Sequence, residues 1–428
     1  ALADDGAHVR VTGHSVDGVS AEDAEQYRHF RKRMTRFSRL LRKIMNKPPP
    51  RLGTRDWREL VSLARIGINM RRLGREEMRE FLRIIGMNIH DEVCERFASP
   101  LLRGVISCDA VLGTHLGPRS PNTMLTYLYR LAGNNGKVAI PKGGMGMVSA
   151  LIAQSARTAG ADIRTSSPVR RIVVDNGRVT GVETEEGEVF ESHTVISNAD
   201  PKRTVMRLVG ARHFETTFIK RIHHLRARGN AAKVHLALDG LPAINGLHDR
   251  DLGARLVIAG DEDYVERAFN PAKYGACSTE PVIELCFPSV HDESLAPAGK
   301  HVLSAVVQYV PYDLRGGWTD AARQALFDSI MARMSRYMPE LEQRVLASEL
   351  LTPVDIESGF QISGGHWHHA ELTLDQFLFV RPVAGAAQYA MPLDGLYLCG
   401  AGTHPGGGVS GAAGRNAART ILGREKAR

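Results

Sequence analysis

A chain of 428 residues with 43% hydrophobic and 24% charged residues can bury a sizeable core, which excludes disorder as its main state. Its 42 glycines are clustered rather than periodic, which excludes a collagen-like fibre, and no window approaches about 18 uncharged apolar residues, the length needed for a spanning helix. Net charge is 55 − 47 = +8, yet the stretch from Ala21 to Ile106 alone holds 20 basic and 11 acidic residues, 20 − 11 = +9.

That asymmetry fits a solvated basic face, an anionic membrane surface or a nucleic acid. No aromatic-basic RNA motif, zinc finger or zipper accompanies it, so nucleic acid is not expected as a partner. The five cysteines, Cys94, Cys108, Cys277, Cys286 and Cys399, include no C-x-x-C pair. A reducing, cytoplasmic setting is expected, with peripheral membrane contact as an option. The oligomeric state has no signature.

In chain order, Ser20 followed by Asp23 has the form of a capping box. After it Tyr27, Phe30, Met34, Phe37, Leu41 and Ile44 recur at steps of three and four, the apolar face of a long helix. Pro48-Pro49-Pro50 ends it, because none of the three can donate a backbone hydrogen bond. Asp56 begins a second helix, and further helices are broken near Gly74 and Pro100. Met147 to Ala159 is an alanine-rich helix, and Ala161 to Thr165 reads as a short strand. Three strands follow, Val169–Val174, Arg178–Thr184 and Glu188–Phe190, separated by the turn signals Asn176-Gly177 and Glu186-Gly187. Thr194 to Asn198 is another strand. Lys233–Leu238, Val282–Phe287 and His301–Val310 are strand-like, and Thr319 starts a helix stopped by Pro339.

The last residues switch back: Gly395–Cys399 is a short buried strand, followed by Gly400-Ala401-Gly402-Thr403-His404-Pro405-Gly406-Gly407-Gly408-Val409-Ser410-Gly411 and an alanine-rich helix. Glycines let a ligand approach the main chain, and a helix N-terminus favours an anion or a carbonyl oxygen. A nucleotide cofactor and a tight crossover needing small residues are both compatible with this run. The usual dinucleotide fingerprint is not met, since Pro405 stands at its third glycine. Nor is there a P-loop, because Gly136-Lys137 is followed by Val138. His366, His368, His369 and Glu371 lie close in sequence. In a strand His366 and His368 would share a face, with His369 opposite. No fourth ligand at a recognisable spacing accompanies them, so no metal is assigned.

Taken together, Ile140–Gly146, Gly160–Thr165, Val169–Val174, Val195–Pro201 and Leu396–Arg419, in that order, resemble FAD-dependent oxidoreductases of the phytoene desaturase type. His366–Glu371, Asp375-Gln376 and Arg381-Pro382 resemble one branch in particular. The resemblance implies an α/β fold: a Rossmann-like FAD lobe built from discontinuous segments (134–205 and 385–428), and a substrate lobe that is helical over 1–133 and an antiparallel sheet over 206–384. It implies FAD as cofactor, with Val169 near the adenine, Gly400 to Thr403 along the pyrophosphate and ribityl chain, and His404 to Gly411 beside the isoalloxazine ring. It also implies hydride transfer from a lipophilic, polyisoprenoid- or carotenoid-like substrate to flavin N5, with His366, His368 and Glu371 lining the substrate pocket and no side-chain base assigned. A catalytically inert scaffold of the same fold and an FAD amine oxidase are the alternatives. The family opens with a strand, a G-x-G-x-x-G loop and a helix that this sequence does not contain, so a longer natural protein is expected, and this stretch alone is expected to retain little or no flavin.

Overall fold

A computed structural model describes residues 1–51, 53–133, 140–248 and 251–425. Gly136-Lys137 and the expected boundary at 133/134 fall at or within 134–139, outside the described residues. A hairpin of β1 (Arg10–Thr12) and β2 (Ser15–Asp17) precedes six helices: α1 (Ala21–Met45), α2 (Trp57–Arg71), α3 (Arg75–Gly86), α4 (Ile89–Arg96), α5 (Pro100–Val111) and α6 (Thr123–Gly133). The apolar stripe of α1 is real: Tyr27, Phe30, Met34, Phe37 and Leu41 are buried against α6 and its neighbours. Ser20 caps α1 through the Asp23 amide. The buried Asp23 carboxylate, however, turns away from the cap to accept from the amides of Ala98 and Ser99 at 2.8 and 2.7 Å, holding the start of α5.

Next come α7 (Gly146–Thr158), the meander β3 (Val169–Asp175), β4 (Arg178–Thr184) and β5 (Val189–Glu191), then β6 (Val195–Ser197). Asn176 and Gly177 both take positive φ, as a two-residue hairpin turn requires. Residues 161–165, expected as a strand, run without one. They are mostly exposed and have no strand partner among the described residues, so no ladder fixes them.

The central part comprises α8 (Thr216–His223), β7 (Ala231–Leu238), β8 (Leu256–Ile258), α9 (Glu262–Ala272), β9 (Ile283–Cys286), β10 (His301–Gln308), α10 (Asp320–Ser335), α11 (Leu341–Arg344), β11 (Val345–Leu351) and α12 (Pro353–Phe360). Its strands form one antiparallel sheet in the order β11-β7-β10-β9-β8, with α10 covering its apolar core. A half-buried ion network of Arg255, Asp109, Glu284 and Arg130 ties α5 and α6 to this sheet. The two arginines hold the Glu284 carboxyl down at about 2 against the upward push of burial. Finally β12 (Leu396–Leu398) pairs in parallel with β6, and α13 (Ala412–Glu425) closes the chain. That pairing brings residues 195–197 and 396–398 together and is the α/β element of the fold. The third apolar core joins Ile172, Val179, Phe218, Ile222, Leu396 and Leu398.

Candidate functional site

The β12–α13 loop is packed against protein along its first half and open toward α13. A Cβ at Gly400 would lie 2.5 Å from the Asn198 carbonyl oxygen, at Gly402 2.4 Å from Pro201 Cδ, at Gly406 2.7 Å from the Tyr129 hydroxyl, and at Gly407 2.7 Å from His368 Nδ1. These four glycines are small because protein presses on them. Gly408 and Gly411 differ: both have positive φ and nothing within 4 Å. Val409 is 72% exposed, and Ser410 is also exposed, so the stretch leading into α13 presents backbone to an open side.

The remaining loop side chains serve the scaffold. Thr403 Oγ1 donates to the Gly400 carbonyl at 2.8 Å. His404 is fully buried, its ring nitrogens 3.2 and 3.3 Å from the carbonyls of Leu378 and Ile44. Burial pushes its pKa down to about 4. The ring is therefore neutral, carries one N–H and donates to one of the two carbonyls. Its side chain is thus committed to protein. Ala401 gives its carbonyl to Arg381, and Pro405 follows a cis peptide bond. Asn416 of α13 donates to the Met45 carbonyl at 3.0 Å, fixing the start of that helix against the end of α1.

Above the loop lie the three histidines. The segment 366–369 is a turn, so the strand geometry in which His366 and His368 would share a face does not apply: the His369 amide donates to the His366 carbonyl at 2.7 Å and His369 has φ of 60°. Gly364 and Gly365, both at positive φ, force the chain to fold back there. His366 Nε2, His368 Nδ1 and His369 Nδ1 are buried and hydrogen-bonded to nothing. Burial lowers all three pKa values, that of His368 to about 3, so the rings are neutral. The Glu371 carboxylate accepts from Arg226 Nε at 2.9 Å, which ties it to the neighbouring segment. Val169 stands at the start of β3, paired with Thr184 and exposed at its edge.

Two residues to which sequence reasoning gave no site role organise the site. Tyr129 packs edge-on against His368 and Phe377 and donates its hydroxyl to the Gly407 carbonyl. Arg381, fully buried, donates to the carbonyls of His368, Ala370, Glu371, Gln376 and Ala401. It thereby bolts the histidine turn to the glycine loop. A void walled by Gly113, Asn230, His366 and Trp367 adjoins the turn. It shares Gly229 with a cavity of about 210 Å3 that opens between His115, Arg228, Tyr274 and Tyr312.

A family model described as flavin containing amine oxidoreductase matches residues 1–422. Pyridine nucleotide-disulfide oxidoreductase domain-containing protein 2 is 37% identical in Mus musculus, over 81% of this chain. The Rattus norvegicus form is 33% identical over 97% of it. The chain spans 62% of the mouse relative's length and 75% of the rat's. The lycopene-forming phytoene desaturase of Pseudescherichia vulneris is 27% identical over 69% of this chain and 57% of its own. Among solved structures, wild-type putrescine oxidase bound to putrescine superposes with a TM-score of 0.50 at 13% identity, covering 98% of this chain and 78% of that one. At that identity the likeness is one of fold.

Proposed function

The chain belongs to the flavin-containing amine oxidoreductase family, whose members are FAD-dependent oxidoreductases, and from that premise we propose that it dehydrogenates a lipophilic small molecule through FAD held along residues 400–411. The observation that carries this reading is the pair of buried, unpartnered imidazole nitrogens of His368 and His369 packed over a loop whose far side is open, with the unpartnered Nε2 of His366 beside them. A buried polar atom without a partner costs about 1–3 kcal/mol unless something pairs with it, so a polar group entering there would meet His366 and His368. Bound FAD supplies the two-electron oxidising group. Gly400 to Thr403 would hold its pyrophosphate and ribityl chain. The backbone of Gly408 to Gly411 and the first amides of α13 would face its ring, with Val169 toward the adenine. The protein's part is orientation and exclusion of water, through Tyr129, His368 and Phe377.

An apolar substrate suits these surroundings better than an amine. Glu371 is engaged by Arg226, and Asp200 accepts from the amides of Arg203 and Ser363, so neither buried carboxylate is free for an ammonium group. The distant likeness to a phytoene desaturase points the same way.

Replacing Gly407 by aspartate tests the cofactor assignment. The new side chain would start 2.7 Å from His368 Nδ1 and displace the turn above the loop. In the full-length protein the variant should keep its far-ultraviolet dichroism and lose the yellow colour of its parent. A Gly407→Asp protein with undiminished flavin would remove the loop from the account.

A lipophilic substrate resides in a bilayer or on a carrier, and α2 offers a means of approach. None of its residues is buried. One face carries Trp57, 68% exposed, Leu60, Val61 and Ile68, 51% exposed, with Arg71 and Arg72 at its end. This is the composition of an interfacial helix on an anionic surface. The apolar face of α1, by contrast, is consumed by the core. No helix among the described residues is long and apolar enough to cross a membrane. Each arginine near an anionic surface contributes about 1 kcal/mol. The protein should therefore sediment with anionic but not neutral vesicles, less so in high salt, and at least about a hundredfold more weakly after charge reversal at Arg71, Arg72 and Arg75. Indifference to both vesicle types would make these arginines ordinary surface.

A further inference from the structure

We infer that His90, Cys94 and Glu262, with Asp263 as fourth ligand, form a zinc-binding site where α4 meets the N-terminus of α9. His90 and Cys94 are four residues apart on α4, so their side chains stack on one face. Glu262 and Asp263 open α9 opposite them. Among the described residues, His90, Cys94 and Glu262 are the one set of three such groups whose ligand atoms all lie within 4.8 Å of one another. Cys94 Sγ is 3.9 Å from His90 Nε2 and 3.3 Å from Glu262 Oε1, and His90 Nε2 is 3.3 Å from Asp263 Oδ1. A tetrahedral zinc ion with bonds of about 2.0–2.3 Å sets its ligand atoms about 3.3–3.6 Å apart. These three separations are already within a few tenths of an ångström of that spacing.

Acidic residues in the first turn of α9 would favour that helix without any ion, so they are not the argument. A thiol and an imidazole converge on them, and one carboxylate is almost wholly inside the protein. The Glu262 side chain is 6% exposed, and its Oε2 lies 2.9 Å from Arg103 Nε without forming a hydrogen bond. Sulfur and nitrogen donors select zinc over magnesium or calcium, which take oxygen. Charge also balances. Zinc with one thiolate and two carboxylates is net −1, and Arg103 beside Glu262 and Arg119 beside Asp263, each at 2.9 Å, offset it. On binding, the Cys94 thiol gives its proton to solvent and the Sγ–zinc bond replaces the S–H bond, with no change of oxidation state. The ion would clip α4 to α9 and so secure the helical region to the neighbouring sheet region. None of the four ligands belongs to the segments of the flavin loop.

Cobalt is the probe, because its spectrum reports thiolate ligation and coordination number in the folded, reduced protein. Titration of metal-stripped protein should saturate at about one equivalent. It should give a thiolate-to-cobalt charge-transfer band and the intense visible bands of a four-coordinate ion, both displaced by zinc. Cys94→Ala should abolish the charge-transfer band, and Arg103→Ala, which leaves all four ligands in place, should weaken binding about tenfold. Wild-type protein that shows no charge-transfer band on saturation with cobalt would overturn the site. So would a band that survives Cys94→Ala.

Discussion

Arg381→Ala is expected to yield protein that does not fold, recovered as aggregate or degraded in cells. The guanidinium makes six hydrogen bonds, all to main-chain carbonyls, from a position with no exposure to water. Burial without a counter-charge lowers its pKa to about 10, so it stays protonated at neutral pH. Each buried acceptor stripped of its donor costs about 1–3 kcal/mol. Several together approach the whole stability of a typical domain, about 5–15 kcal/mol. Arg381→Lys should fare little better, since three donors on one nitrogen cannot reach carbonyls spread around a planar fork. Arg170→Ala, on an exposed side chain, should change stability by less than about 0.5 kcal/mol. Soluble yield and thermal melting decide the matter: an Arg381→Ala protein melting within a few degrees of the parent would show that the carbonyl cluster is held by something else.

The second large effect is acid sensitivity. His368 and His404 are held neutral, with pKa values lowered by burial to about 3 and about 4, and His366 and His369 shift the same way. Above about pH 6.5 neither the folded nor the unfolded chain protonates these rings, and they add no pH dependence. Below it the unfolded chain takes up protons that the folded chain refuses, so stability falls as pH falls. The loss continues until the folded pKa values are reached. Each ring contributes about 1.4 kcal/mol per pH unit. For His368 and His404 together the loss between pH 6.5 and pH 5 is about 4 kcal/mol. Denaturant melts at pH 7, 6 and 5 should show this decline, and His404→Asn should flatten it by the share of one ring. Equal stability at pH 7 and pH 5 would mean that the rings protonate in place.

The parts legible in the sequence are those in which local chemistry and tertiary packing agree. The three-and-four spacing from Tyr27 to Leu41 names the buried face of α1 because that helix has one core to meet. Leu396 to Leu398 reads as a buried strand because it carries no charge and ends in glycines, although its parallel partner lies some two hundred residues earlier. What could not be read depends on distant segments. Arg381 is visible in the sequence only as part of the Arg381-Pro382 pair that carries the resemblance, and only the convergence of five carbonyls makes it interior. His366 to His369 alternate as a strand would, but Gly364 and Gly365 fold the chain into a turn, which sets His368 and His369 against the glycine loop. His90 and Cys94 show metal-ligand spacing on one helix, yet the carboxylates facing them are more than 160 residues away.

Anaerobic titration of the flavin-loaded protein, followed by the visible absorbance of the flavin, tests the central claim most directly. A polyisoprenoid offered in anionic vesicles should bleach the oxidised spectrum as it is dehydrogenated, while a primary amine at the same concentration should leave it unchanged. Bleaching by the amine and not by the polyisoprenoid would contradict the account and place the chain's activity with the amine oxidases.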